Sequence, residues 1–147
     1  MPLPGARRLL PYGRMSNVAV PVELAGLRVT VDRLVYRRLT PEQSPEPHSF
    51  VYFITIHNDS QVTVTIKGRK WVVIHEDGNT LVVEGDGVVG ETPLIPPGGR
   101  FSYNSQHILS TSSAVAEGAY LGIDENGRRI ITRIPKFRMS VPDVTGR

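Results

Sequence analysis

From Leu27 onward the apolar residues of this chain recur at every second position, and no segment repeats them at the three-to-four spacing of an amphipathic helix. LRVTVDRLVY alternates Leu27, Val29 and Val31 with Arg28, Thr30 and Asp32, the pattern of a half-buried strand. SFVYFITIHN fills both rows: Phe50, Tyr52, Ile54 and Ile56 on one face, Val51, Phe53, Thr55 and His57 on the other. A strand apolar on both faces belongs in the middle of a sheet. QVTVTIKGRKWVVIHEDGNTLVVEGDG, RFSYNSQ, GAYLGID and RRIITRIPKFRM continue the two-residue period. Between them lie turn signals: the three prolines of TPEQSPEPHS, the Asn-Asp-Ser at 58–60, the Asp-Gly of EDGN at 76–79, and DENGR. Gly68, inside a strand pattern, marks a bulge or bend. The pattern predicts an all-β, antiparallel sandwich or barrel.

A chain of 147 residues is the size of one domain and long enough to bury a core. It contains no cysteine, which removes disulfides and thiolate chemistry and agrees with a reducing, cytoplasmic setting. No apolar run approaches the length of a membrane span, and the first residues lack the apolar centre of a signal peptide. The net charge of +3 is concentrated at the start: residues 1–22 hold Arg7, Arg8 and Arg14 with no acid, and the other basic residues balance the acidic ones. A nucleic-acid binder carries its basic patch on the folded domain, so nucleic acid is not expected as a partner. The organisation expected is a basic N-terminal extension over 1–25, one sandwich domain over 26–142 and a short tail over 143–147.

Residues 85–90, Gly-Asp-Gly-Val-Val-Gly, match the G-x-G-x-x-G pattern of pyrophosphate-binding loops. That chemistry needs the glycines to open a helix whose amides meet the phosphates. Here Pro93, Pro96 and Pro97 follow instead, and proline denies both the donors and the helical path. Asp86 and Glu91 would moreover repel a phosphate. The structural alternative is that the glycines supply positive φ and close packing where the chain leaves a sheet, with Val88 and Val89 plugging the core edge. An anion nest of successive amides is the functional alternative.

SFVYFITIHN, RKW, GDGVVGETPLIPPGGRFSYNS, LST, GAY and IPKF, in this order between Leu27 and Val141, resemble the ApaG domain family (DUF525). Gly85 to Ser105 is the specific part of the resemblance. Its matching positions include Tyr52, Asn58, Arg69, Trp71, Gly85, Gly87, Gly90, Phe101, Tyr103, Ser105, Tyr120, Pro135 and Phe137. The resemblance implies a fibronectin type III/immunoglobulin-like two-sheet β-sandwich. It also implies a role in protein interaction, since the family occurs both as short bacterial proteins and as a module of larger eukaryotic ones. Bacterial members are associated with cobalt resistance and magnesium efflux, and the family is not an established enzyme class. After Thr111 the chain reads SSAVAE where the family often has Pro, Gly and Met, so the resemblance implies a loop of different shape there.

No nucleophile elbow and no paired histidine motif is present, so no catalytic residue, cofactor or metal ligand is assigned. His57 and His75 lie near strand ends and could meet across a sheet. Arg69 and Trp71, two apart, share a strand face, as a stacked pair or as part of a partner surface with Arg100. The reading is a non-enzymatic protein-interaction module with Gly85, Asp86, Gly87, Val88, Val89 and Gly90 as the partner-binding loop. The alternatives are a nucleotide or pyrophosphate binder, or weak hydrolase, clamped by Arg69 or Arg100, and a divalent-metal sensor. A homodimer through sheet edges stays open.

Overall fold

A computed structural model describes residues 20–143; the expectations for Arg7, Arg8 and Arg14 and for residues 144–147 lie outside them. The described residues form nine strands and no helix. In chain order they are β1 (Val22–Glu23), β2 (Leu27–Arg38), β3 (His48–Asn58), β4 (Val64–His75), β5 (Thr80–Asp86), β6 (Leu94–Ile95), β7 (Arg100–Leu109), β8 (Ser113–Asp124) and β9 (Arg129–Ser140). They make two sheets, one ordered β1-β9-β8-β4-β5 with β6 also on β4, the other β2-β3-β7. Apart from the short parallel pairing of β1 with β9, neighbours are antiparallel. This is the fibronectin type III-like sandwich. β3 is the middle strand of its sheet, as its two apolar rows require.

The core lies between the sheets. Phe50, Tyr52, Ile54 and Ile56 of β3 face Val64, Ile66, Trp71 and Val73 of β4, Ala116 and Tyr120 of β8, and Ile130, Ile134 and Met139 of β9, all buried. Burying side chains of this size stabilises by roughly 1.5–3 kcal/mol each. The bulge expected at Gly68 is present: the β4–β8 register shifts between Ile66 and Gly68. Before it Val64 and Ile66 face inward, and after it Arg69, Trp71 and Val73 do. β9 tolerates Pro135 because the β8–β9 register skips there, Gly118 pairing with Ile134 and Ala116 with Phe137.

Three boundaries differ from the sequence reading. Val22 and Glu23 fall within the segment assigned to the N-terminal extension, yet pair with Ile130 and Ile131, so the sheet begins before residue 26. Ser113–Glu117, expected as a loop of altered shape, is the first half of β8, with Ala114 and Ala116 buried against β9. β6 is too short for a period and is held by its pairing with Val64 and Thr65.

At one pole Asn58, fully buried, ties the loops together. Its amide donates to Val62 O and Ile95 O, both at 2.8 Å, and its Oδ1 accepts from Ser60 N at 3.0 Å and Ser60 Oγ at 2.6 Å. Its backbone exchanges bonds with Gly98 and Gly99, fixing the Pro-Pro-Gly-Gly stretch before β7.

Candidate functional site

The glycine motif begins at the end of β5. Gly85 pairs with Arg69 across the sheet, and a Cβ on Gly85 would stand 2.8 Å from Arg69 Nη1. The guanidinium lies over the glycine and donates through Nη1 to Asp86 O at 2.9 Å and Gly87 O at 3.1 Å. Gly87 has φ +64°, and a Cβ there would collide with Glu91 O. Val88 to Glu91 then close a two-residue hairpin. Val88 N–H donates to Glu91 O at 2.7 Å and Glu91 N–H to Val88 O at 3.0 Å. Its central residues, Val89 at φ 44° and Gly90 at φ 82°, give the type I′ turn its two positive φ values. Each glycine therefore answers to a different local demand: room for Arg69, room for Glu91 O, and the left-handed second turn position.

Three of the amides that an anion nest would use are already engaged. Gly87 N–H bonds Lys67 O at 2.7 Å, and those of Val88 and Glu91 bond each other's carbonyls. The nearest guanidinium is aimed at loop carbonyls, and Asp86 and Glu91 stand exposed on either side.

The partner surface considered for Trp71 is corrected. Arg69 and Trp71 do share a face, but it is the inner one: Trp71 is 2% exposed and packs against Tyr52 with ring centroids 4.9 Å apart. It is a core residue and offers no partner surface. Arg69 points from the same face past the tyrosines of the core. Tyr103 and Tyr120 hydrogen-bond through their hydroxyls, and burial pushes both, and Tyr52, above the usual phenol range. These hydroxyls stay neutral. Arg100, exposed at the start of β7, belongs to the other sheet.

Val88 is fully buried, as expected of a core plug, but Val89 is 49% exposed. A β-branched residue at positive φ is an outlier, and such strain clusters where a side chain is displayed for a purpose. Nor does the loop leave its sheet. β8 pairs with β4 from Val64 to His75, so β5, the loop and β6 share the remaining side of β4 and form one continuous edge. Among the described residues eight large apolar side chains are exposed. Five of them, Ile74, Leu81, Val82, Val89 and Leu94, lie on this edge or beside it at the end of β4. Single exposed apolar residues need no explanation, whereas five gathered on one side of a sheet do. Periodicity places Ile74, Leu81 and Val82 on strands and leaves Val89 and Leu94 in the loop, and which of them stay uncovered follows from the pairing.

The histidines do not assemble. His57 hydrogen-bonds Thr30 at 2.9 Å on one sheet, His75 ends β4 on the other, and His48 meets Tyr36 at 2.8 Å. His107 is packed between Trp71 and Tyr52, with centroids 4.6 Å and 4.8 Å away, and desolvation lowers its pKa to about 4. Among the described residues no three His, Asp or Glu side chains cluster to hold a metal ion, and no helix is long and apolar enough to cross a membrane.

Comparison with known proteins agrees with this geometry. The profile of the ApaG domain (DUF525) matches residues 39–123. Protein ApaG of Xanthobacter autotrophicus is 43% identical over 112 residues, 76% of this chain and 85% of that protein. Protein ApaG of Vibrio cholerae is 45% identical over 113 residues, 75% of this chain and 90% of that protein. An X-ray structure of a structural genomics target, SoR45, superposes with a TM-score of 0.73 at 32% identity, covering 83% of this chain and 92% of that one.

Proposed function

This chain belongs to the ApaG domain family, and on that premise we propose that it is a non-enzymatic protein-interaction module whose contact surface is the edge formed by β5, the Gly85–Gly90 loop and β6. The observation that carries the reading is that, of the eight large apolar side chains exposed among the described residues, five lie on that edge or beside it at the end of β4. Val89 at the hairpin tip and Leu94, 65% exposed on β6, are its most prominent features. The loop is suited to display because both its sides are anchored, by Arg69 on one and by the Val88–Glu91 bridge on the other. A rigid presenting loop loses little entropy on binding.

The contact role is favoured over anion binding because the amides of Gly87, Val88 and Glu91 bond carbonyls, the Arg69 guanidinium is held by two more, and the exposed carboxylates of Asp86 and Glu91 flank the loop. The association of bacterial relatives with cobalt resistance and magnesium efflux, if this chain shares it, runs through the partner.

The test is capture from an extract of the source cells, comparing the full chain with a Val89→Asp/Leu94→Asp variant. Both residues are exposed, so the fold should survive, as a thermal melt will verify. A partner held in stoichiometric amount by the native chain and lost by the variant is expected. No partner, or one held equally by both, would remove the reading.

A further inference from the structure

The β5 edge is an open ladder. His75 N–H donates to Asn79 O at 2.8 Å and Gly87 N–H to Lys67 O at 2.7 Å, bracketing the β4–β5 pairing. In an antiparallel pair, residues bonded to the neighbour alternate with residues facing away. Leu81, Val83 and Gly85 therefore turn their backbone groups towards β4. Thr80, Val82 and Glu84 turn theirs outward, as does the amide of Asp86, whose carbonyl is already held by Arg69. Sheet edges are ordinarily blunted by bulges, cationic side chains, proline or shortness. β1 has two residues, β2 carries a register shift between Val31 and Arg33, and β7 presents Arg100, Ser102, Asn104 and Gln106. β5 has seven residues in unbroken register, with no Lys, Arg or Pro.

Charge selects the occupant. Residues 76–99 contain Glu76, Asp77, Glu84, Asp86 and Glu91 and no basic residue, in a chain of net charge +3. Beneath them β4 supplies Lys67, Arg69 and Lys70. Lys70 is 3.5 Å from Glu84 and Arg69 is turned to two carbonyls, so the edge stays net negative. Glu84 and Asp86 stand two apart on the outward-bonding row, beside Val82.

We propose that this edge takes up an extended, basic and apolar segment of a partner protein, added antiparallel to β5 as an outer strand. Bonded residues in such a pair stand directly opposite with side chains on one face, where opposite charges stabilise and like charges repel. Read from its N-terminus, the incoming strand faces Asp86, Gly85, Glu84, Val83, Val82 and Leu81 in turn. The pattern that fits is basic, apolar, basic, followed by three apolar residues. Backbone bonds supply affinity and the charge pairs supply register and choice of partner. A second copy offers Glu84 and Asp86 but no cation in its own β5, and is the poorer match.

This inference rests on the contact reading above and narrows it to a partner chemistry. The probe is a library of phage-displayed random peptides of about twelve residues, selected against the immobilised full-length chain. Selected peptides should carry two Lys or Arg at a spacing of two, followed by apolar residues. Their affinity should fall as salt rises, since screening weakens exposed charge pairs. In a Glu84→Lys/Asp86→Lys variant that keeps its melting profile it should fall by about tenfold or more. Four outcomes overturn the proposal: selected peptides without basic preference, binding indifferent to the charge reversal, no selection at all, or self-association of the chain that protects β5 amides. Displacement of the selected peptides by a synthetic peptide of residues 1–19, which hold Arg7, Arg8 and Arg14 without an acid, also overturns it, by giving the edge to this chain's own segment. If the Val89/Leu94 variant loses its captured partner while the selected peptides are not basic, only the occupant falls and the contact reading stands.

Discussion

Arg69 lies against Gly85, with its Nη1 where a β-carbon would come within 2.8 Å, and from there it holds the carbonyls of Asp86 and Gly87. The first glycine of the motif is thus the seat of an arginine. A pyrophosphate would have to displace that arginine from the loop carbonyls before using it.

The three glycines should differ when replaced by alanine. Gly87→Ala meets a backbone oxygen at positive φ and should cost about 3 kcal/mol or more. Gly85→Ala pushes aside the end of a flexible side chain and weakens two charge-assisted hydrogen bonds, for about 1–2 kcal/mol. Gly90→Ala has open space around it and loses only the left-handed freedom of glycine, for about 1 kcal/mol. Urea unfolding of the three variants gives the order directly. Equal costs would contradict separate roles.

Millimolar pyrophosphate, ATP or diadenosine tetraphosphate, with or without Mg²⁺, should leave the amide resonances of Gly85–Gly90 unmoved, because the loop amides of Gly87, Val88 and Glu91 already have carbonyl partners. Saturable shifts confined to this loop would restore the anion reading.

Val89→Gly removes a β-branched side chain from φ 44° and should stabilise the fold by up to about 1 kcal/mol, glycine's greater unfolded-state entropy offsetting part of the gain. The same change should weaken partner capture. Stability and contact moving in opposite directions at one residue is the signature of strain kept for display.

His107 makes stability pH-dependent. It is buried neutral, with a folded pKa of about 4 against an ordinary 6.5. The unfolded chain binds the proton first, so the contribution is fully present above pH 6.5 and is lost as pH falls towards 4. The gap corresponds to about 3 kcal/mol at most. A His107→Phe variant should show a shallower decline in unfolding free energy over that window. An unchanged slope would place the acid sensitivity elsewhere.

Asn58→Ala leaves two carbonyls and the Ser60 donors without their partner in a fully buried site, which should cost about 3 kcal/mol. Hydrogen exchange should quicken at Asn58, Gly98 and Gly99 before it does in the middle of β4 or β8.

The period of two placed most of the strands because it reports only which rows are apolar, a local property. It could not separate inner from outer where both rows carried large residues. Arg69 and Trp71 were correctly put on one face, but that face is inward because Tyr52 and His107 of the opposite sheet cover it. Ser113–Glu117 escaped because alanine and serine carry no strand signal, and their extended form comes from pairing with Arg138, Met139 and Ser140. The purposes of Gly85 and Gly87 were invisible in sequence for the same reason: the atoms they accommodate belong to Arg69 on another strand and to Glu91 beyond the turn.

The strand order β1-β9-β8-β4-β5 sets the first and last strands side by side, as far across the sheet as possible from β5. A longer polypeptide can therefore enter and leave this fold along its back. Whatever is joined before or after it is thus led away from β5, and that far edge keeps its open side.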